Sequence, residues 1–418
     1  MKAQRLNLAN WGTGPVRTDS SHPHSEQIYL TTGDRFFTTP TPLHSSIPHP
    51  NVILNRMQFI LDVITATLIG YLTFTNTLAW KISNLIDPLH SGTELSRNTT
   101  NQLTALPSGY HSNGLIPTIL LESASYQQAA VASSENTTFT TTLDPLAAIV
   151  NIYCTSITAT QIRTTTGTGF FVHPSGVILT NAHVAQFLLL ENTGAFGDTS
   201  CIIRNGNPAA PRYHAELLYI PPAWVEANAA LIDDKAPSGT GERDYALLYV
   251  TSGMDNEPLP STFPALALAT GLLPRSVTNS AVVAAGYPAG ALFRSGSDTD
   301  LLPRQASTSI SELYTFTADY ADVFGLRGSA MGEQGASGGP IVNDDGKVIG
   351  IITTRGNDAR DGVGSLRAIT ISHINRTITE ETGFSLENNI SGNTPYRAQI
   401  FTDTMAPFLT GLLVKATQ

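Results

Sequence analysis

Between residues 145 and 380 the chain alternates short β-branched or apolar runs with Gly, Pro, Asn and Asp turn signals, and this rhythm restricts the fold more than any other feature. The runs fall at 147–153, 169–172, 177–180, 201–204, 215–220, 245–250, 281–285, 340–342, 348–354 and 366–371. Runs this short, at this spacing, predict an all-β sandwich or barrel rather than alternating βα units. The turns draw on 34 Gly and 25 Pro, and a hydrophobic share of 41% of the 418 residues is enough for a sizeable core. No internal repeat is visible.

Outside that stretch the composition changes. Residues 1–57 crowd Thr, Pro, His and Ser with little periodicity and read as a disordered polar region, which buries too little apolar surface to offset its ordering entropy. Its His22-Pro23-His24 is a histidine pair in a tail, and no metal site is expected. Residues 58–81 are a candidate transmembrane anchor: 14 of the 22 residues from Phe59 to Trp80 are apolar, the length that spans a bilayer. Asp62 lies near one end, where a carboxylate reaches the interface, and Trp80 with Lys81 makes an interfacial edge. A cleaved export signal beginning near Met57 and a buried soluble helix are the other two readings. Residues 82–143 form a Ser/Thr/Asn-rich linker, 144–380 the folded domain, and 381–418 a C-terminal extension whose apolar end, 406–414, predicts a short packing helix. With 23 basic against 33 acidic residues, net charge −10 and no Lys/Arg run, nucleic acid is not an expected partner.

Three segments carry chemistry. Gly335-Ala336-Ser337-Gly338-Gly339-Pro340 surrounds a serine with glycines, which let the backbone turn tightly and let the N–H groups of Gly335 and Ser337 converge on one point. A serine hydroxyl is a weak nucleophile and needs a base. His183, in Thr180-Asn181-Ala182-His183, stands just past an apolar run, where an imidazole is held rigidly yet reachable. Asp244 precedes the buried-looking run Tyr245 to Val250, an odd place for a solvated charge and a suitable one for orienting the Nδ1–H of His183. Each signal alone is weak; together they give the chain order His, Asp, Ser.

With Gly167-Thr168-Gly169-Phe170-Phe171-Val172 upstream and Val348-Ile349-Gly350-Ile351 downstream, these motifs resemble the trypsin/chymotrypsin superfamily of serine peptidases, nearer its bacterial HtrA-like members than digestive trypsins. The resemblance covers about 235 residues, 145–380. It implies two six-stranded antiparallel β-barrels with the triad in the cleft between them, His183 and Asp244 from the first and Ser337 from the second. It further implies catalytic roles for these three residues and an oxyanion hole formed by the N–H groups of Gly335 and Ser337. Met331, Thr353 and Arg355 fall where the family builds its substrate pocket. An apolar Met331 argues against Lys or Arg at P1 and for a small or medium apolar side chain, while Arg355 is expected to point outward. Ala336 replaces the Asp of zymogen-activated members, so no ion pair with a newly cut N-terminus is available. The 81 residues after Ser337 leave no room for a PDZ domain once the second barrel is complete.

Cys154 and Cys201 both fall in the expected first barrel and form a candidate disulfide. The resemblance implies a protein or peptide substrate, no cofactor, and, by analogy with HtrA proteases, a homo-oligomer. The anchor implies a single-pass membrane protein with the protease domain in the periplasm or outside the cell. Two rivals are a catalytically silent binding module on the same fold and an α/β-hydrolase, whose nucleophile elbow also fits Gly335 to Gly339 but needs a following helix and a downstream base such as His373.

Overall fold

The computed structural model describes residues 139–160, 162–191, 193–194, 197–232, 240–290, 292, 300–316 and 320–416, together with a two-residue strand, Thr104–Ala105. The candidate anchor 58–81 and the polar segment 1–57 lie outside the described residues. Among the described residues no helix is long and apolar enough to cross a membrane.

Between Ile149 and Thr370 the chain forms two closed antiparallel barrels of six strands each. The first holds β1 (Ile149–Ile157), β2 (Ile162–His173), β3 (Val177–Thr180), β4 (Asp198–Asn205), β5 (Ala210–Tyr219) and β6 (Ala246–Gly253), paired around the ring as β1-β2-β3-β6-β5-β4. The second holds β7 (Ala281–Gly286), β8 (Arg304–Thr315), β9 (Val323–Leu326), β10 (Pro340–Val342), β11 (Lys347–Arg355) and β12 (Leu366–Thr370). Its ring runs β7-β8-β9-β12-β11-β10, the same connectivity as the first. Closure leaves no unpaired edge in either ring, which is how short strands of modest hydrophobicity avoid edge-to-edge association.

Each of the ten runs read from the sequence overlaps one strand of these barrels, although 147–148 lies in a helical turn and Ile371 opens a helix. Two strands, β8 and β9, have no counterpart among them. β8 reads Arg-Gln-Ala-Ser-Thr-Ser-Ile-Ser-Glu-Leu-Tyr-Thr and buries side chains mainly toward its C-terminal end, so it carries no apolar run. It is a strand because β7 and β9 supply its backbone partners on both sides. β9 is four residues long, and its Gly325 leaves space for the Ser311 hydroxyl of β8.

Three helices follow the second barrel: α1 (Ile371–Thr382), α2 (Leu386–Ile390) and α3 (Thr394–Ala416). The Thr370 side chain caps α1 by accepting the His373 N–H, and Gly383, at φ 79°, ends it in a left-handed turn. α1 crosses the boundary expected near residue 380, and the expected short terminal helix is a 23-residue one. Phe401, Met405, Leu409 and Leu413, four residues apart, are all fully buried and belong to the same apolar cluster as the first barrel's core. At about 1.5–3 kcal/mol for each such side chain, α3 is a wall of the domain rather than an appendage.

Cys154 of β1 faces Cys201 of β4 in direct register, and their sulfurs are bonded. The bridge closes a loop across 47 positions of sequence. Reduction is expected to cost about 3–4 kcal/mol by loss of loop-closure constraint, read as a lower urea midpoint in the presence of a thiol reductant.

Candidate active site

His183 sits on a single helical turn, Ala182–Ala185, directly after β3. The turn aims both its backbone and its ring at one carboxylate. The His183 N–H donates to Asp244 Oδ1 at 2.9 Å, and Nδ1 pairs with Asp244 Oδ2 at 2.7 Å. A carboxylate only accepts, so Nδ1 carries the proton and Nε2 presents its lone pair. Burial disfavours the imidazolium, but the charge of Asp244 and its hydrogen bond outweigh this and hold the His183 pKa above the ordinary histidine value. The His183 side chain remains 27% exposed, whereas that of Asp244 is 6% exposed.

Asp244 is itself fixed from both barrels. Thr353, on β11, donates its hydroxyl to Asp244 Oδ2 at 2.6 Å, and Asn181 Nδ2 donates to the Asp244 carbonyl at 2.7 Å. The preceding residue, Arg243, is a non-glycine in the left-handed region at φ 57° and is buried. Such a conformation persists only where its surroundings hold it. Here α1 does so: the Arg243 guanidinium pairs with Glu380 at 3.2 Å and with Glu381, which also accepts the Tyr219 hydroxyl. Thr377 of α1 donates to the Tyr245 hydroxyl at 3.0 Å. Sequence reasoning missed Arg243 and Glu381, since a lone Arg and a Glu-Glu pair 137 residues later give no local signal of contact.

Ser337 lies in the loop between β9 and β10 of the second barrel, and this loop is hydrogen-bonded to both barrels. The Ser337 carbonyl accepts the Thr168 N–H of β2 at 2.8 Å, and the Gly338 N–H reaches the Ile352 carbonyl of β11 at 2.8 Å. Gly338 has φ +84°, and a Cβ there would stand 2.0 Å from the Thr168 carbonyl oxygen and 2.5 Å from the Thr180 hydroxyl, so no other residue fits. Thr180 is three residues before His183, which puts the serine loop beside the strand end that carries the imidazole. The N–H groups of Gly335 and Ser337 meet no acceptor among the described residues, and Ser337 is partly exposed. No hydrogen bond joins Ser337 to His183 among the described residues; such contacts often tighten only when substrate binds.

The expected pocket residues divide. Met331 is fully buried, its methyl against Gly286, and belongs to the second barrel's core cluster. Thr353 is buried with its hydroxyl on Asp244. Arg355 is exposed at the end of β11, with Nη2 3.5 Å from the Gly332 carbonyl.

A second His–Asp pair exists. His373 Nδ1 stands 3.1 Å from Asp322 Oδ1, and Arg376 also binds that oxygen. Both His373 and Asp322 are buried between α1 and the second barrel, with side-chain exposures of 4% and 1%. Ser337 is followed by strand β10, not by a helix, and the fold is a pair of closed barrels, so the nucleophile-elbow alternative with His373 as base is removed. Burial would raise the Asp322 pKa, but hydrogen bonds from His373, the Phe316 N–H and Arg376 outweigh it and hold the carboxyl at about 2.

Residues 167–351 match the family model described as "Trypsin-like peptidase domain". Among solved structures, the chain is similar to the Rv3671c protease from M. tuberculosis in its active form, with 17% identity over 70% of this chain and 96% of that one and a TM-score of 0.35. The inactive form of the same protease gives 20% identity, 57% and 90% coverage and a TM-score of 0.34. No curated protein matches the chain.

Two outcomes test this electrostatic frame. A depressed carboxyl stabilises the fold above the unfolded-state pKa of about 3.9 and loses that contribution as pH falls toward 2, so Asp322→Asn is expected to lose about 2 kcal/mol less than wild type between pH 5 and pH 2 in urea titrations. Glu381→Leu takes a buried carboxylate from Arg243 and is expected to cost about 3 kcal/mol at pH 7, read by the same titration.

Proposed function

We propose that this chain, whose residues 167–351 match a trypsin-like peptidase domain, is a serine endopeptidase using His183, Asp244 and Ser337 as its catalytic triad. The observation that carries the proposal is the two-point hydrogen bonding of His183 to Asp244, at 2.9 and 2.7 Å, beside a serine loop whose flanking N–H groups are unengaged among the described residues.

In this mechanism Ser337 Oγ attacks the scissile carbonyl while His183 Nε2 takes its proton, and the resulting imidazolium is stabilised by Asp244. The oxyanion is held by the N–H groups of Gly335 and Ser337, with about 2.7–4 kcal/mol lost when such a donor is removed. Collapse of the tetrahedral adduct passes the proton from His183 to the leaving amine, leaving an acyl-serine. Water, deprotonated by the same imidazole, then hydrolyses the acyl-serine and regenerates Ser337.

Met331, standing where a Lys- or Arg-selective relative would carry a carboxylate, offers no counter-charge, so the P1 side chain is small or medium and apolar. Residues 58–81 tether the domain to a membrane with the barrels outside the cytoplasm, a reading favoured by the 14 apolar residues of 22 in Phe59 to Trp80 and by the disulfide, which persists in oxidising compartments.

The test is labelling of the full-length chain with a fluorophosphonate, which reacts only with a base-activated serine. Wild type is expected to label, and Ser337→Ala and His183→Ala are each expected to lower peptide hydrolysis by about 10⁴–10⁶-fold. Because the free imidazole is the base and its pKa is raised, the acid limb of kcat/KM is expected above pH 6.5. A folded wild type that neither labels nor hydrolyses peptides would mean a binding module, and labelling that survives His183→Ala would mean a different base.

A further inference from the structure

The oxyanion hole assigned above is made of backbone, and backbone N–H groups point wherever their peptide planes point. In a trans peptide the C=O and the following N–H lie in one plane and point in opposite directions. The Gln334 carbonyl accepts the Ala289 N–H at 2.6 Å, which turns the Gly335 N–H away from Ala289. The next plane is set by a side chain of the other barrel: the Thr168 hydroxyl donates to the Gly335 carbonyl at 2.7 Å and accepts the Tyr287 N–H at 2.9 Å. Gly335 has φ +93°, a conformation open to glycine and easily exchanged for others unless its carbonyl is held.

Thr168 holds more than that carbonyl. Its own N–H binds the Ser337 carbonyl at 2.8 Å, and its own carbonyl accepts the Thr180 hydroxyl at 2.7 Å, on the strand that leads to His183. The residue is fully buried, so these groups have no water to fall back on. One β2 residue therefore grips the nucleophile loop at Gly335 and at Ser337, two residues apart, and ties both to the strand that delivers the base. The backbone bonds are open to any residue except proline; the bond to Gly335 needs a hydroxyl.

We propose that Thr168 is a positioning residue for the reaction: its hydroxyl locks the Gly335–Ala336 peptide, which lies between the two peptides that carry the hole's N–H groups, so that the hole stays formed, making oxyanion stabilisation depend on the docking of the first barrel against the second. This rests on the endopeptidase reading. Thr168 does not touch the substrate in this account. It acts through the two N–H groups that do.

The test compares wild type, Thr168→Val and Thr168→Ser in the full-length chain, by kcat and KM on a peptide substrate and by the affinity of a peptidyl trifluoromethyl ketone, whose adduct oxygen occupies the hole. Valine matches threonine in shape but lacks the hydroxyl, so kcat is expected to fall about 10²-fold with KM unchanged and ketone affinity to fall in parallel. Serine restores the hydroxyl and is expected to stay within about 3-fold of wild type, a rescue that a packing role for the γ-methyl would not give. A folded valine variant with wild-type kcat, or a serine variant as impaired as valine, overturns the proposal. Should the valine variant fail to fold, Thr168→Cys, with its weaker donor, is expected to fall between serine and complete loss, and a cysteine variant as active as serine overturns it. An active wild type with an active valine variant sinks this proposal alone, whereas a wild type that neither labels nor turns over peptide removes the endopeptidase reading and this one with it.

Discussion

A buried carboxylate is costly unless every lone pair finds a donor, and Asp244 sets that demand at the seam between the two barrels. Its donors come from both sides: the backbone and ring of His183 follow β3 of the first barrel, and the Thr353 hydroxyl belongs to β11 of the second. The carboxylate is fully satisfied only when the barrels are docked, so the same interaction that fixes the histidine also fixes how the halves meet. The serine loop follows from that docking, since Ser337 is bonded to Thr168 on one side and its neighbour Gly338 to Ile352 on the other.

The two barrels repeat one connectivity, yet nothing in the sequence repeats. Closed rings explain this. A six-stranded barrel asks of each strand that it pair on both sides and turn small apolar side chains inward, and many sequences meet that demand. β3 meets it with four consecutive buried residues, Val-Ile-Leu-Thr, and β8 with a largely polar stretch held by its neighbours. The candidate site breaks the symmetry instead: the first barrel ends β3 in the helical turn of His183, while the second inserts the glycine loop of Ser337 before β10.

That division also explains what could be read without coordinates. His183, Asp244 and the glycines around Ser337 are legible because each is a departure from a local rule: a histidine past an apolar run, a charge before a buried strand, glycines clustered about a hydroxyl. β8 and β9 are not, because pairing and not periodicity makes them strands. Thr353 reads as a pocket residue from its place in the motif order; its contact with Asp244 joins residues 109 apart in sequence, and no local pattern encodes such a contact. Thr168 was visible only as part of a Gly-Thr-Gly motif, with nothing to separate its hydroxyl from its backbone.

Helix α1, Ile371–Thr382, bears on the site for a reason rooted in conformational strain. Arg243 must adopt a left-handed conformation to let Asp244 turn under His183, and a bulky residue does so only when held. Glu380 and Glu381 hold it from the last turn of α1, and α1 is anchored in turn by His373 and Arg376 on Asp322, which also accepts the Phe316 N–H of the second barrel. The chain therefore runs out of the second barrel, crosses back to the first through α1, and closes over it with α3. The turn that precedes Asp244 is braced by residues that lie beyond the family-matched region 167–351. In physical terms the proposed site is not complete when His183, Asp244 and Ser337 are in place. It is complete when the last helices have returned to brace the turn that orients one of them.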